Sequence, residues 1–250
     1  MAKKQWGWIQ ATPVDRISYL PDGILHQILS YLHIKVVART SVLSKRWQHL
    51  WYSFPFLDFA QYEFYDTRKG IDDLKTFTDI VDGKLKSFCK YEYMIQRFNL
   101  SFSCLEPEYH SLVDKWMRLV TKRHVRELIF YANLPYTIKN NPYSLPSQVF
   151  VSNSLTVLEI FCKNTLFPRH VNLPRLVSLR LTDVKIDVML VFDYGKFPCI
   201  QVMQLWNCVI PVGFKICCHR LKELDINGCK QGGEIEIFAP NLSSMLQISK

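Results

Sequence analysis

The chain has 250 residues, of which 48% are hydrophobic, 14% aromatic and 21% charged, and its mean hydropathy is -0.01, so there is enough apolar surface to offset the ordering entropy of one large domain or two modest ones. Nine glycines and twelve prolines are far too few for a collagen-like or low-complexity chain, and global disorder and a fibrous fold are both excluded. The net charge of +9 permits nucleic acid, an anionic membrane or an acidic protein as partner.

The distribution of charge narrows that choice. Between Met1 and Leu57 seven bases (Lys3, Lys4, Arg16, Lys35, Arg39, Lys45, Arg46) face two acids (Asp15, Asp22), a local balance of +5, while the other 193 residues carry +4. A partner drawn by charge is therefore expected at the N-terminal quarter. No part of the chain interleaves bases with stacking aromatics on one exposed face, as nucleic-acid binding requires. No apolar run approaches the eighteen or so residues of a membrane helix, and the start Met1-Ala2-Lys3-Lys4 lacks the apolar stretch of a secretory signal. A soluble protein of the nucleus or cytoplasm is expected, with neither nucleic acid nor membrane as partner.

Eight cysteines include no C-x-x-C pair, and although Cys217, Cys218 and His219 are adjacent, sequence neighbours do not easily converge on one tetrahedral ion. Free, mostly buried thiols are expected, with no metal and no cofactor.

In chain order, Leu20-Pro21-Asp22 marks a helix start, because proline loses nothing at a first-turn position and Asp22 complements the positive helix end. Ile24, Leu25, Ile28, Leu29 and Leu32 then form one apolar stripe. A second short helix is predicted over Lys35 to Ser41. Ser44 can cap a third, with Trp47, Leu50 and Trp51 on one face, and Pro55 stops it. Three helices in about forty residues cannot bury so many large apolar groups alone, so a second domain or another subunit must cover them.

These residues carry a family resemblance. Leu20-Pro21-x-x-Ile24-Leu25-x-x-Ile28-Leu29-x-x-Leu32, followed by Leu43-Ser44-Lys45-Arg46-Trp47-x-x-Leu50-Trp51, closely resembles an F-box of the kind abundant in plants. His33, where relatives often have proline, and Gly23 in the first helical turn depart from the pattern. The resemblance implies docking on the small, acidic adaptor subunit of cullin-RING ubiquitin ligases, and no catalysis by this chain. Carried over by position, Leu20, Pro21, Ile24, Leu25, Ile28, Leu29, Val42, Leu43, Trp47, Leu50 and Trp51 supply adaptor contacts or the core beneath them.

Beyond a turn-rich stretch from Tyr65 to Gly70, Leu74, Phe77, Ile80 and Val81 recur at helical spacing, which suggests a helix tying the two blocks together. The template L-x-x-L-x-L then recurs six times, starting at Ile95, Val125, Leu155, Leu176, Ile200 and Leu221, at intervals of 30, 30, 21, 24 and 21 residues, close to a leucine-rich-repeat period. Cys208 and Cys229 each fall eight residues after a repeat start, where that consensus takes Asn or Cys. Leu112, Val113, Trp116, Met117 and Val120 form a helical stripe suited to a convex side. A strand near Leu242 to Ile248 is expected out of register, since Gln247 falls where an apolar residue belongs. No cap is visible before Lys250, so a short or C-terminally truncated solenoid is expected.

The reading is an α/β chain: a tail (1–12), a three-helix F-box (13–57), a linker with a helix (58–92) and a short, open leucine-rich-repeat β/α solenoid (93–250), similar to plant F-box proteins with leucine-rich repeats, including those of the FBD type. In such repeats the positions between the apolar ones face the concave side. Asn99, Ile129, Glu159, Arg180, Gln204 and Asp225 form one row, and Ser101, Tyr131, Phe161, Thr182, Trp206 and Asn227 the next. Tyr131, Phe161 and Trp206, with Glu159 and Arg180, are the candidate contacts for a protein substrate; equally, the aromatics pack on each other and Glu159 and Arg180 form a simple cross-strand pair. There is no G-x-G-x-x-G, Walker-type loop, G-x-S-x-G or H-E-x-x-H. The resemblance implies a substrate receptor of a ubiquitin ligase; the alternatives are an interaction scaffold outside any ligase and a small-molecule-sensing receptor.

Overall fold

A computed structural model describes residues 16–66, 71–72, 74–91, 93–134, 143–163 and 165–248. The expected tail 1–12, the F-box start at 13, the charges Lys3, Lys4 and Asp15, and Gly70 lie outside the described residues. Residues up to Phe54 form one compact unit and those from Pro55 a second.

The first unit is three short helices, α1 (Asp22–Leu29), α2 (Ile34–Thr40) and α3 (Lys45–Ser53). Pro21 stands at the N-cap of α1 with its carbonyl accepting the Ile24 and Leu25 amides at 3.0 Å, so the missing proline N–H leaves no orphan donor. His33 caps α2 with φ -58, the angle a proline would impose, which is why histidine serves there. Ser44 Oγ accepts the Trp47 amide at 3.3 Å at the start of α3. Leu25, Leu29, Ile34, Val37, Leu50 and Phe54 are buried as the core. Arg46 fastens the segment before α1 to α3: its guanidinium donates to the Ser18 and Leu20 carbonyls and pairs with Asp22 at 2.6 Å.

The second unit is organised by a parallel sheet of eight strands in chain order: β1 (Phe56–Ala60), β2 (Arg97–Phe102), β3 (Glu127–Ala132), β4 (Val157–Cys162), β5 (Ser178–Thr182), β6 (Val202–Trp206), β7 (Glu223–Asn227) and β8 (Ser244–Ile248). The register is continuous, with Leu57, Phe98, Leu128, Leu158, Leu179, Met203, Leu224 and Met245 opposite one another in turn. From Leu57 to Leu224 that row is buried, as is the next apolar row from Phe59 to Ile226.

Three expectations are corrected here. The stretch 58–92, expected as a linker, begins inside β1, which pairs along its whole length with β2. The helix expected to tie two blocks together, α4 (Leu74–Tyr91), is the crossover between β1 and β2 within one sheet. It buries Phe77, Val81, Leu85 and Phe88, while Ile80 is exposed. The strand near Leu242 to Ile248 is β8, and it is in register, with Gln247 opposite Ile226; backbone pairing to β7 fixes its position whatever side chain occupies one apolar site.

Among the described residues, helices back the sheet where the repeat is long. Helix α5 (His110–Lys122) joins β2 to β3 and buries Val113, Trp116, Met117 and Val120. Where the interval shortens to 21–24 residues, too little chain remains between strands for a helix of several turns. Short strands replace it, forming one parallel sheet of Leu166–Phe167, Lys185–Ile186, Val209–Ile210 and Lys230–Gln231 and another of Phe192–Asp193, Lys215–Cys217 and Glu236–Phe238. Between them Phe192 packs on Phe167 at 5.9 Å, Phe197 at 5.0 Å and Phe214 at 5.4 Å, so buried rings fill the interior of these turns.

After β5, β6 and β7 the chain turns through a left-handed residue, Asp183 (φ 58), Asn207 (φ 53) and Gly228 (φ 63). The amides of the first two bond forward to the Trp206 and Asn227 carbonyls at 2.9 and 2.8 Å. A Cβ on Gly228 would lie 2.4 Å from Asn207 Oδ1. Gly228→Ala should therefore destabilise the unit by about 1–2 kcal/mol from backbone strain alone, read as a lower denaturant midpoint at unchanged slope; an unchanged midpoint would contradict the turn geometry.

On the convex side Asp82 of α4 accepts from Lys115 Nζ at 2.8 Å and from the buried Trp116 Nε1 at 3.2 Å, and pairs with Lys86 at 2.8 Å. Desolvation alone would raise its carboxyl, but the hydrogen bonds from Lys115, Lys86 and Trp116 hold it down to about 2. A depressed native value means that the charged clamp contributes fully above the ordinary value of 3.8 and is lost as pH falls toward 2. Asp82→Asn keeps an acceptor for the indole, so its deficit in melting stability should be up to about 1 kcal/mol, greatest above pH 3.8 and closing toward pH 2. A deficit independent of pH would contradict the ion pairing.

Candidate binding surfaces

The apolar stripe expected along α1 separates into two faces, because adjacent helical residues point about 100° apart. Leu25 and Leu29 turn into the core, whereas Ile24 and Ile28 are each 45% exposed. Among the other residues expected to meet an adaptor, Leu50 is buried, Leu20, Trp47 and Trp51 are half-buried, and Pro21 is exposed. Trp47 Nε1 donates to Ser18 Oγ at 3.3 Å. Val42 and Leu43, in the turn between α2 and α3, are 85% and 66% exposed. Leu25, Leu29 and Leu50 thus shape this surface from beneath. Sequence reasoning did not single out Tyr31 and Val36, which are exposed beside Leu32. For Tyr31 the signal was present: Ile24, Ile28 and Tyr31 follow i, i+4, i+7 spacing on the outward side.

The basic character of this unit is partly spent internally, since Arg46, one of the seven bases, is committed to Asp22 and two carbonyls.

In the second unit, pairing of β3 to β6 places Tyr131, Phe161, Thr182 and Trp206 in one concave row. The Tyr131 and Phe161 rings are stacked at 4.2 Å and 8°. Trp206 is held from its other side, Nε1 donating to Asp225 Oδ2 at 2.8 Å. In the adjoining row Arg180 Nε donates to Gln204 Oε1 at 2.5 Å and Nη1 to Glu159 Oε2 at 3.0 Å, and its Cζ lies 5.6 Å from the Trp206 ring centroid. All five residues singled out from the sequence, Tyr131, Phe161, Trp206, Glu159 and Arg180, line one open cavity of about 270 Å³, together with Thr182. The packing reading holds in part, since Tyr131 and Phe161 do stack and Glu159 and Arg180 do pair.

At the edge of this face Arg97 pairs with Glu127 at 2.7 Å. Burial raises the carboxyl of Asp58 on β1 despite the nearby Arg97. Asp58 went unread because its strand did; Phe54-x-x-Leu57-x-Phe59 fits the repeat template and was the available signal.

The thiols act as internal donors. Cys208 Sγ donates to the Leu181 carbonyl at 3.4 Å and Cys229 Sγ to that of Leu205 at 3.2 Å, one turn back in each case. Hydrogen bonding to Cys229 and burial push the Cys208 thiol well up, and burial pushes Cys162 and Cys218 up to about 12, so at neutral pH these three are unreactive thiols. Among the described residues, no three His, Cys, Asp or Glu side chains are grouped to hold a metal ion, and no helix is long and apolar enough to cross a membrane.

A continuous parallel sheet on L-x-x-L-x-L repeats, with left-handed turns and cysteine donors between turns, defines a leucine-rich-repeat protein, here preceded by a three-helix unit. Comparison with known families agrees: residues 90–250 match the family described as At1g61320/AtMIF1, LRR domain, and residues 17–59 match the F-box domain. The chain belongs to the F-box/leucine-rich-repeat family. Among curated relatives from Arabidopsis thaliana, F-box/LRR-repeat protein At3g58930 is 35% identical over 59% of this chain and 31% of its own length. F-box/FBD/LRR-repeat protein At4g00160 is 37% identical over 58% of this chain and 30% of its own, and F-box/LRR-repeat protein 13 is 32% identical over 77% of this chain and 41% of its own. The chain thus spans about a third of the length of the relatives it matches. No solved structure matches significantly.

Proposed function

We propose that this chain is a non-catalytic substrate receptor of a cullin-RING ubiquitin ligase, working in the nucleus or cytoplasm. Its F-box docks on the acidic adaptor subunit and its repeats hold a protein target. The observation that carries the reading is the set of large apolar side chains, Ile24, Ile28, Tyr31, Leu32, Val36, Val42 and Leu43, that a unit of so few residues leaves exposed. A surface of this kind on a small helical domain marks a protein interface. The basic residues around it, Lys35, Arg39 and Lys45, favour an acidic partner. The chain then acts by raising the effective concentration of its target near the ligase's other subunits.

Capture of a purified plant adaptor subunit by the full chain tests this. Ile24→Asp and Val42→Asp place a charge on the exposed face, and each should weaken capture at least about tenfold without changing the melting temperature. Leu29→Asp buries a charge instead, and should lose capture by unfolding. Equal capture by Ile24→Asp, Val42→Asp and wild type, or none by wild type, would contradict the proposal. Adaptor capture in cells without recovery of the cullin would assign the chain to a scaffold outside the ligase.

A further inference from the structure

The concave aromatic row is interrupted at one strand. Tyr131 on β3 and Phe161 on β4 stack ring on ring, and Trp206 stands on β6, yet β5 between them contributes only Thr182 to the same row. Phe161 and Trp206 are therefore rooted two strand spacings apart, about 9–10 Å, which is the separation that admits one further flat group between two rings. Thr182, 9% exposed, forms the floor, and the space above it is the cavity of about 270 Å³.

Arg180 forms one wall and is fixed there. Glu159 and Gln204 hold Nη1 and Nε from the two neighbouring strands, and the guanidinium lies against Trp206. Those contacts leave Nη2 with no acceptor among the described residues. A fixed donor at the side of a slot one ring wide suits an aromatic residue whose hydroxyl or main-chain carbonyl accepts from it.

The volume also speaks to the source of the ring. At about 270 Å³ the cavity falls just below the range of about 300–1,000 Å³ that encloses free small-molecule ligands. It is also open along the sheet, so an occupant attached to a longer chain gains contacts across the neighbouring rows that a free molecule would not.

We propose that the gap over Thr182 is a socket for an aromatic side chain of the protein target, completing the Tyr131–Phe161–Trp206 stack and accepting a hydrogen bond from Arg180. This rests on the receptor reading and specifies what its repeats recognise.

The test is selection of a random twelve-residue peptide library against the immobilised full chain, with adaptor capture measured on the same protein. Recovered peptides should share one aromatic position whose replacement by alanine weakens binding at least about tenfold. Thr182→Phe supplies from the protein the ring that the socket lacks, and should abolish that binding with the melting temperature unchanged or raised. Arg180→Met should weaken it several-fold, and carries the test if Thr182→Phe fails to fold. Peptides with no aromatic requirement, peptides binding both variants as well as wild type, or no recovered peptides would overturn the proposal. So would saturable binding of free N-acetyltryptophan in place of any peptide. Any of these with adaptor capture intact overturns the socket alone, whereas lost capture overturns the receptor reading beneath it.

Discussion

Eight strands share one parallel register, so equivalent side chains of every turn are lined up across the sheet at a spacing of about 4.8 Å. A slip of one residue in any strand would exchange its buried and exposed sets, and the buried rows from Leu57 to Leu224 and from Phe59 to Ile226 make such a slip costly. The concave surface follows from this. Tyr131 and Phe161 meet because their strands are in step, Arg180 reaches partners on both sides because Glu159 and Gln204 occupy the same row, and Thr182 leaves a gap because both neighbours carry rings.

The register was legible in the sequence because it is written in the spacing of Leu, Ile, Val, Phe and Met, and the same spacing assigned the concave rows. The convex side was less legible. Helix α5 showed itself through a strong apolar stripe, but the short strands of the later turns have only two or three residues each, fewer than periodicity needs to declare itself. Strand β1 was missed for a different reason: Pro55 ends a helix, and Phe56–Ala60 directly follows it, so the strand lay inside what looked like the end of the preceding block. Strand β8 shows the opposite error, in which one polar residue, Gln247, outweighed a pairing that the backbone alone can sustain.

In the first unit the motif identified the residues, and the structure divided their roles. Adjacent members of one motif, such as Ile24 and Leu25, lie on different faces of α1, one outward and one in the core. A sequence motif cannot make that division by itself, because the side chains on both faces are apolar. The +5 balance that pointed to the partner is likewise divided, with Arg46 acting as an internal clamp.

The dependence of the concave face on register can be tested most directly by nuclear Overhauser contacts at Thr182 in methyl-labelled protein. The account predicts contacts from the Thr182 methyl to the ring protons of both Phe161 and Trp206, and from the Leu181 methyls to Leu205 and Ile160 beneath the sheet. Contacts from Leu181 to the two rings, with Thr182 directed into the core, would show that β5 is displaced by one residue and would contradict the account.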